Sequence, residues 1–579
     1  MNKLIKNLSF FSTLFLFTLT GCNNVSSSIS SSTPLNNTSI SYLTSEDKGT
    51  ATIRIYKDNN SHSKERYIAP KNVEIKYTYE SLSGILANNE DVCPSKGDVK
   101  LLVIPVHLPG DDTYCTEEVR KDINSAFFGK NDDKSGFKSV SEYYYESSFR
   151  QLNFQGTVTN WFDVAEFTSI KNTDQITDGN DGTIVTEILQ KAVYWAENVE
   201  GINLSDYDYD HDGSIDGVWL IYDHLDYLTE FELNVKNNPS FDGKFNSAFW
   251  NYTGWDWLTS PNIEHPTTSA FSWASFSMMY TSYAKRDLYG FIEFDTKETK
   301  LDSHVYIHET GHLLGLDDYY ANDDGKYHPI GKSSMMDQNV CDLDSYSKML
   351  LGWITPYVCY GTSEILIPRA TSSKHGVIVI PSNYEEISNL VEQAILKDKL
   401  DEFTYDFNPF SEYLMIDLYT PDGLNEQDTN GQLIFGKDAS VNKTGVRIYH
   451  VDSRIFKARI LNYDGGQRFI YEENYIWDGY ELDNDEVILM PISNQKIEEA
   501  YFQLPEYFDY YDQIRLLEAN QKNSFSYDGT FNKNTLFTTE TKDFSIEEYG
   551  YQFFNANYTY NDGNELPFRI NVKTLKEMN

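Results

Sequence analysis

The stretch His304-Val305-Tyr306-Ile307-His308-Glu309-Thr310-Gly311-His312-Leu313-Leu314-Gly315-Leu316-Asp317-Asp318-Tyr319 decides how this chain is read. On a helix, positions 308 and 312 stand one turn apart on one face, so both imidazoles can reach a single ion. Glu309 is rotated about 100° from His308, which sets its carboxylate beside the ion's open position, where it can hold and deprotonate a water. Zinc in a catalytic site takes three protein ligands and keeps a fourth position open. Asp318 would point away from the ion on a continuing helix, so the helix has to stop before it. Gly315 is the residue type that ends a helix by taking positive φ and turning the chain back. His308, His312 and Asp318 are therefore the expected zinc ligands, and Glu309 the expected base. His304 shares the face of His308, but three imidazoles in line on a straight helix cannot converge on a tetrahedral ion. It is expected to be a supporting or core histidine.

A second cation signal lies upstream, in Asp208-Tyr209-Asp210-His211-Asp212-Gly213-Ser214-Ile215-Asp216. Carboxylates at alternate positions and a glycine at the tight turn are the first half of an EF-type calcium loop. The second half is missing, because the twelfth position is Trp219 and not a bidentate Glu. Like charges packed this closely repel unless a cation neutralises them, so Asp208, Asp210, Asp212 and Asp216 are expected to hold Ca²⁺.

Further out, the N-terminus carries Lys3 and Lys6 before an apolar run from Leu8 to Leu19, the layout of a secretory signal too short to span a bilayer. It ends in Leu19-Thr20-Gly21-Cys22, which resembles a bacterial lipobox, so residues 1–22 are expected to be a lipoprotein signal peptide with Cys22 as the acylated mature N-terminus. Residues 23–47, rich in Ser, Asn and Thr, are expected to be a flexible linker, and 48–96 an accessory or pro-segment containing the alternating Thr52-Ile53-Arg54-Ile55-Tyr56. A buried strand is expected over Val99–Val106, a helix over Ser139–Gln151, and strands over Leu152–Val158 and Gly217–Tyr222. Mixed strands and helices make 97–360 an α+β domain. Beyond 361, strands recur at Gly376–Ile380, Tyr413–Leu418, Gly445–Val451, Glu486–Met490 and Phe568–Val572, and 361–579 is expected to be a β-rich, sandwich-like domain. Four cysteines follow Cys22; three disulfide connectivities are open to them, sequence proximity favours Cys93 with Cys115 and Cys341 with Cys359, and free or structural thiols are the alternative.

Composition limits the partners. A formal charge of -41, from 47 basic and 88 acidic residues, repels phosphate backbones and excludes a nucleic-acid surface. With 40% hydrophobic and 15% aromatic residues the chain has core material in plenty.

The pattern HExxHxxGxxD resembles the metzincin-type signature with Asp in place of the third His, as in the immune inhibitor A family of secreted bacterial metallopeptidases. Leu101–Val106, Ser139–Tyr144, the Asp-rich loop, Ser347–Trp353 and Gly445–Asp452 resemble stretches of that family in the same order. The resemblance implies a zincin/metzincin-like catalytic domain, hydrolysis of protein or peptide substrates, Zn²⁺ with Glu309 activating water, and structural Ca²⁺. It also implies a methionine turn beneath the zinc, which falls on Ser333-Ser334-Met335-Met336-Asp337 with Met336 as the chosen residue. Metzincins often place a tyrosine after that methionine. Here Asp337 and Gln338 stand there, leaving Tyr319, Tyr320 and Tyr346 as candidates to stabilise an oxyanion. The expected protein is a monomer anchored by lipid on the outer face of a cell membrane. The rival is a catalytically inactive, calcium-dependent surface-binding lipoprotein; a zinc hydrolase acting on a non-peptide substrate stands third.

Overall fold

The computed structural model describes most of residues 92–354, with gaps at 111, 131–133, 177–182, 242, 244–246, 257, 321–327 and 338–340. It also describes two strands at 41–46 and 52–57, and strands with some adjoining loops from 357 to 574. Residues 1–22, read above as a signal peptide ending in Cys22, lie outside the described residues.

The domain is built on a sheet whose central strand, β1 (Lys100–His107), is buried over all its interior residues. Its side chains serve two cores. Leu101 and Val103 join α1 (Glu117–Phe128) and α2 (Val140–Ser147) on one face, while Leu102, Ile104 and Val106 join α3 (Thr183–Asn198) on the other. A strand covered on both faces has to be a continuous apolar run, which is why Leu-Leu-Val-Ile-Pro-Val shows no alternation. β2 (Gln155–Val158), β3 (Val218–Tyr222), β4 (Tyr252–Trp255) and β5 (Ala270–Ser275) complete the order β2-β1-β3-β5-β4, and Phe162–Asp163 pairs with the end of β1. All pairs are parallel except β4 with β5. The domain is thus mixed α/β, with a mostly parallel sheet and one antiparallel edge.

Local signals set the element ends. Thr116 and Ser139 cap α1 and α2 by accepting from the amides of Val119 and Glu142. The helix expected to reach Gln151 stops at Ser147, because Phe149 and Arg150 take positive φ (56° and 65°) and turn the chain out of the helix. The strand after it begins only at Gln155, Leu152 making a single bridge to Gly97. Thr52–Lys57 is a strand, as its alternation indicates, paired antiparallel with Ser41–Glu46 inside the span read as linker.

Beyond 354 the described elements are nearly all strands. They form one five-stranded sheet, in the order 357–360, 377–380, 412–419, 445–452 and 514–517, and two four-stranded sheets. The β-rich character expected there is present, and the five expected strands agree within two residues at each end. The five-stranded sheet packs on the mixed α/β part: Tyr413, Met415 and Tyr449 share one core with Met335, Leu343 and Tyr346. Arg447 grips Asp417 through Nε and Nη2, at 2.7 and 2.8 Å, and donates from Nη1 to the carbonyl of Ser333 at 3.2 Å.

The favoured disulfides are not formed: among the described residues Cys93, Cys115 and Cys341 are not joined to another cysteine. Cys93 precedes the start of β1 and Cys115 follows its end, and an eight-residue strand separates them by roughly 26 Å, far beyond the ~6 Å that a disulfide spans. Among the described residues no helix is long and apolar enough to cross a membrane.

Candidate metal centre

The helix α4 (His304–Leu313) carries the HExxH residues. Its inner face is fixed by Tyr306, whose ring stacks on Phe127 and whose hydroxyl donates to the Ser275 carbonyl at 2.9 Å. The helix ends as its glycine requires. Gly315 sits at φ 89°, its amide donates to the His312 carbonyl, and the Leu316 amide reaches back to Gly311 at 3.0 Å. This pair of bonds is a Schellman closure, which a residue with a side chain would form only under strain.

The closure returns Asp318 to the helix face. Its Oδ1 lies 2.9 Å from His308 Nε2 and 3.3 Å from His312 Nε2. Each ring is steered from its other nitrogen: His308 Nδ1 is 2.9 Å from the Met335 carbonyl, and His312 Nδ1 2.7 Å from the Leu316 carbonyl. Backbone carbonyls at Nδ1 fix the tautomer that leaves both Nε2 lone pairs facing one point, the support that metal-binding histidines use. Ligand atoms of His308, Glu309 and His312 all lie within 4.8 Å of one another. The residues therefore fit a cation of the zinc class. Burial works against charge here, yet Asp318 lifts the His312 imidazole to about 10, and the two imidazoles hold Asp318 well below the usual carboxylate range. The cluster already gathers opposite charges at the point where an ion would stand.

Glu309 is held by residues that the motif does not contain. Asn251 Nδ2 donates to its Oε1 at 2.6 Å, and Thr253 Oγ1 lies 2.9 Å from its Oε2. Both belong to the antiparallel edge, Thr253 within β4 and Asn251 just before it. Nothing in the sequence around 251–253 marks them, because the relation exists only once the sheet edge is laid beside α4.

His304 behaves as a supporting residue, its Nδ1 paired with Asp302. Met335–Asp337 forms a 3-10 turn beneath the helix. A Cβ added to Gly311 would meet the Met336 sulfur at 2.5 Å, so the glycine and the methionine are fitted to each other. Of the three tyrosines, Tyr319 is buried with its hydroxyl 2.9 Å from Ser347 Oγ, and Tyr346 is buried in the core. Tyr320 faces the cluster, its ring 6.1 Å from that of His308 and its hydroxyl bonded to Asp318. Burial and then the Asp318 charge push that hydroxyl well above the ordinary phenol range, so it stays a hydrogen-bond donor.

The acidic loop is folded around its own backbone. Asp208 accepts from the amides of Asp212 and Gly213, Asp216 from that of Tyr209, and Asp212 from that of Ser214. Gly213 takes φ 93° and lies against the backbone of Asn262, where a Cβ would clash at 2.7 Å. Ligand atoms of Asp208, Asp210 and Asp216 fall within 4.8 Å of one another, with Asp212 outside that group. Burial, with the charges of Asp210, Asp208 and Asp212 adding to it, pushes the Asp216 carboxyl up to about 8.

Two imidazoles, a carboxylate brought to them by a helix-ending glycine, and a braced glutamate make the arrangement of a metallopeptidase. Residues 111–341, which contain all of these side chains, match the model of the immune inhibitor A peptidase M6 catalytic domain. The matched segment is thus similar to the catalytic domain of a family of peptidases, which are hydrolases. No curated protein matches the chain.

Proposed function

We propose that this chain is a zinc-dependent endopeptidase acting on protein substrates outside the cell, with His308, His312 and Asp318 holding the ion and Glu309 as general base. One observation carries the reading: the Asp318 carboxylate sits against both Nε2 atoms, with the Glu309 carboxylate beside them. Zinc held there supplies the Lewis acidity that polarises a peptide carbonyl and acidifies water. Glu309 takes the proton from the attacking water and delivers it to the leaving amine. Asn251 and Thr253 keep its two oxygens in place for both transfers. Tyr320, whose ring lies 6.1 Å from that of His308, is the tyrosine proposed to turn its hydroxyl from Asp318 to the oxyanion. Asp208, Asp210 and Asp216, with Asp212 shaping the loop, are proposed to hold Ca²⁺, and Cys22 to carry the lipid anchor.

The inactive, surface-binding alternative is disfavoured by the bracing of Glu309, since a site without chemistry has no physical need to fix a buried base. The deciding experiment uses the mature protein, with metal analysis and digestion of casein and a peptide library, with and without a chelator. Bound zinc that is reduced by one equivalent in a His308→Ala/His312→Ala variant, and cleavage that stops on chelation and returns with zinc, are expected. Cleavage indifferent to chelation defeats the reading.

A further inference from the structure

A second group of metal-type side chains stands outside the site above, at the carboxyl ends of β1 and β3. His107 is the last residue of β1, Asp223 follows the last residue of β3, and Cys115 closes a turn whose amide bonds back to Asp112. One ring nitrogen of His107, the Cys115 sulfur and one Asp223 oxygen lie within 4.8 Å of one another. His107 Nδ1 is 2.5 Å from Asp223 Oδ2, and its Nε2 is 3.3 Å from Asp112 Oδ1. Asp223 is 3% exposed, so its charge needs a close partner. Among the described residues no lysine or arginine forms an ion pair with Asp223 or Asp112.

From this geometry we infer a second transition-metal site, with His107, Cys115 and Asp223 as ligands and a solvent molecule in the fourth position. Sulfur, imidazole and carboxylate together select an ion of the zinc class over calcium or magnesium. The ion would replace the proton now shared by His107 and Asp223. Ligands bonded at about 2.0–2.1 Å stand about 3.3 Å apart around a tetrahedral ion, so the two side chains need to separate by less than ~1 Å. Cys115 immediately precedes Thr116, the N-cap of α1. It is also the half-exposed cysteine among the described thiols, Cys93 and Cys341 being buried. An ion there ties the turn at 112–115 to the ends of two strands that otherwise meet only through the sheet, which makes its role structural.

The test uses the full-length chain, saturated with Ca²⁺, stripped of transition metal and titrated with Co²⁺. A thiolate-to-cobalt charge-transfer band reports this site alone, because the His308 cluster contains no sulfur. The band is expected to survive in a His308→Ala/His312→Ala variant and to vanish in Cys115→Ser and in His107→Gln, each of which also binds one equivalent less. Far-ultraviolet circular dichroism checks that the variants fold. A parent chain without the band, or a Cys115→Ser variant that keeps it, overturns the inference. Neither result bears on the proteolytic site, whose loss would appear as missing zinc and missing cleavage with this band intact.

Discussion

The cluster at His308, His312 and Asp318 and the loop at 208–216 are both arranged around a place for a cation, and they are built in opposite ways. The loop supplies its own supports: each of its bonded carboxylates is caught by an amide no more than seven residues away. The cluster gathers its two imidazoles and Asp318 locally, but Glu309, the proposed base, is held by Asn251 and Thr253, more than fifty residues upstream. The turn beneath it is held by Arg447, 114 residues beyond Ser333. A binding loop needs only charges at fixed spacing, and a short segment can provide that. Proton transfer needs a carboxylate held in one orientation, and one helix cannot provide that for its own side chain.

The contrast can be broken most directly at Glu309. Glu309→Gln removes the base and keeps the shape, so kcat/KM for a peptide substrate should fall by roughly 10²–10⁴ while zinc content stays at the parent level. If the variant cleaves at the parent rate, the assigned role is wrong. Next in size is Arg447→Ala, which leaves buried Asp417 with the Ser345 hydroxyl but without its charged partner and should cost about 3–5 kcal/mol of stability. Chemical denaturation would read this, and an unchanged midpoint would mean that the β-rich region does not support the turn.

Asn251→Ala with Thr253→Val sharpens the comparison, because neither residue touches the proposed ligands. Loss of such supporting contacts typically costs about 10–100-fold in activity, here in kcat with zinc retained. Loss of zinc along with activity would instead show that the edge strand shapes the whole site. The smallest effect is expected in the loop. Asp216 has its folded value pushed up to about 8 from an ordinary 3.8, so the folded chain keeps a proton that the unfolded chain releases. Stability from this group is complete below about pH 4 and declines as pH rises toward about 8. In calcium-free buffer the thermal midpoint should therefore fall between pH 5 and 8, and added calcium should raise it more at pH 8 than at pH 5. A calcium response independent of pH would count against a cation among these carboxylates.

Much of this molecule could be read in advance where the physics is local. Helix periodicity placed His308 and His312 on one face, and the need for positive φ at Gly315 foretold the turn that returns Asp318. The apolar run at 101–106 announced a strand covered on both sides. The disulfide expectation failed because closeness in sequence says nothing about the length of a strand lying between two cysteines. The same reasoning stopped short at Tyr319, Tyr320 and Tyr346, since only packing turns two of them into the core and one toward the cluster.

What the residues determined alone was the chemistry on offer: two imidazoles and a carboxylate for a cation, a neighbouring glutamate, and an acidic loop with a glycine at its bend. What the tertiary structure decided was which partners steady that chemistry: Asn251 and Thr253 on Glu309, the carbonyls of Met335 and Leu316 on the imidazoles, and Cys115 and Asp223 beside His107. Spacing along a helix or turn is fixed by backbone geometry and can be counted. Contacts between distant segments follow from how sheets and helices bury their apolar faces together, a property of the whole chain.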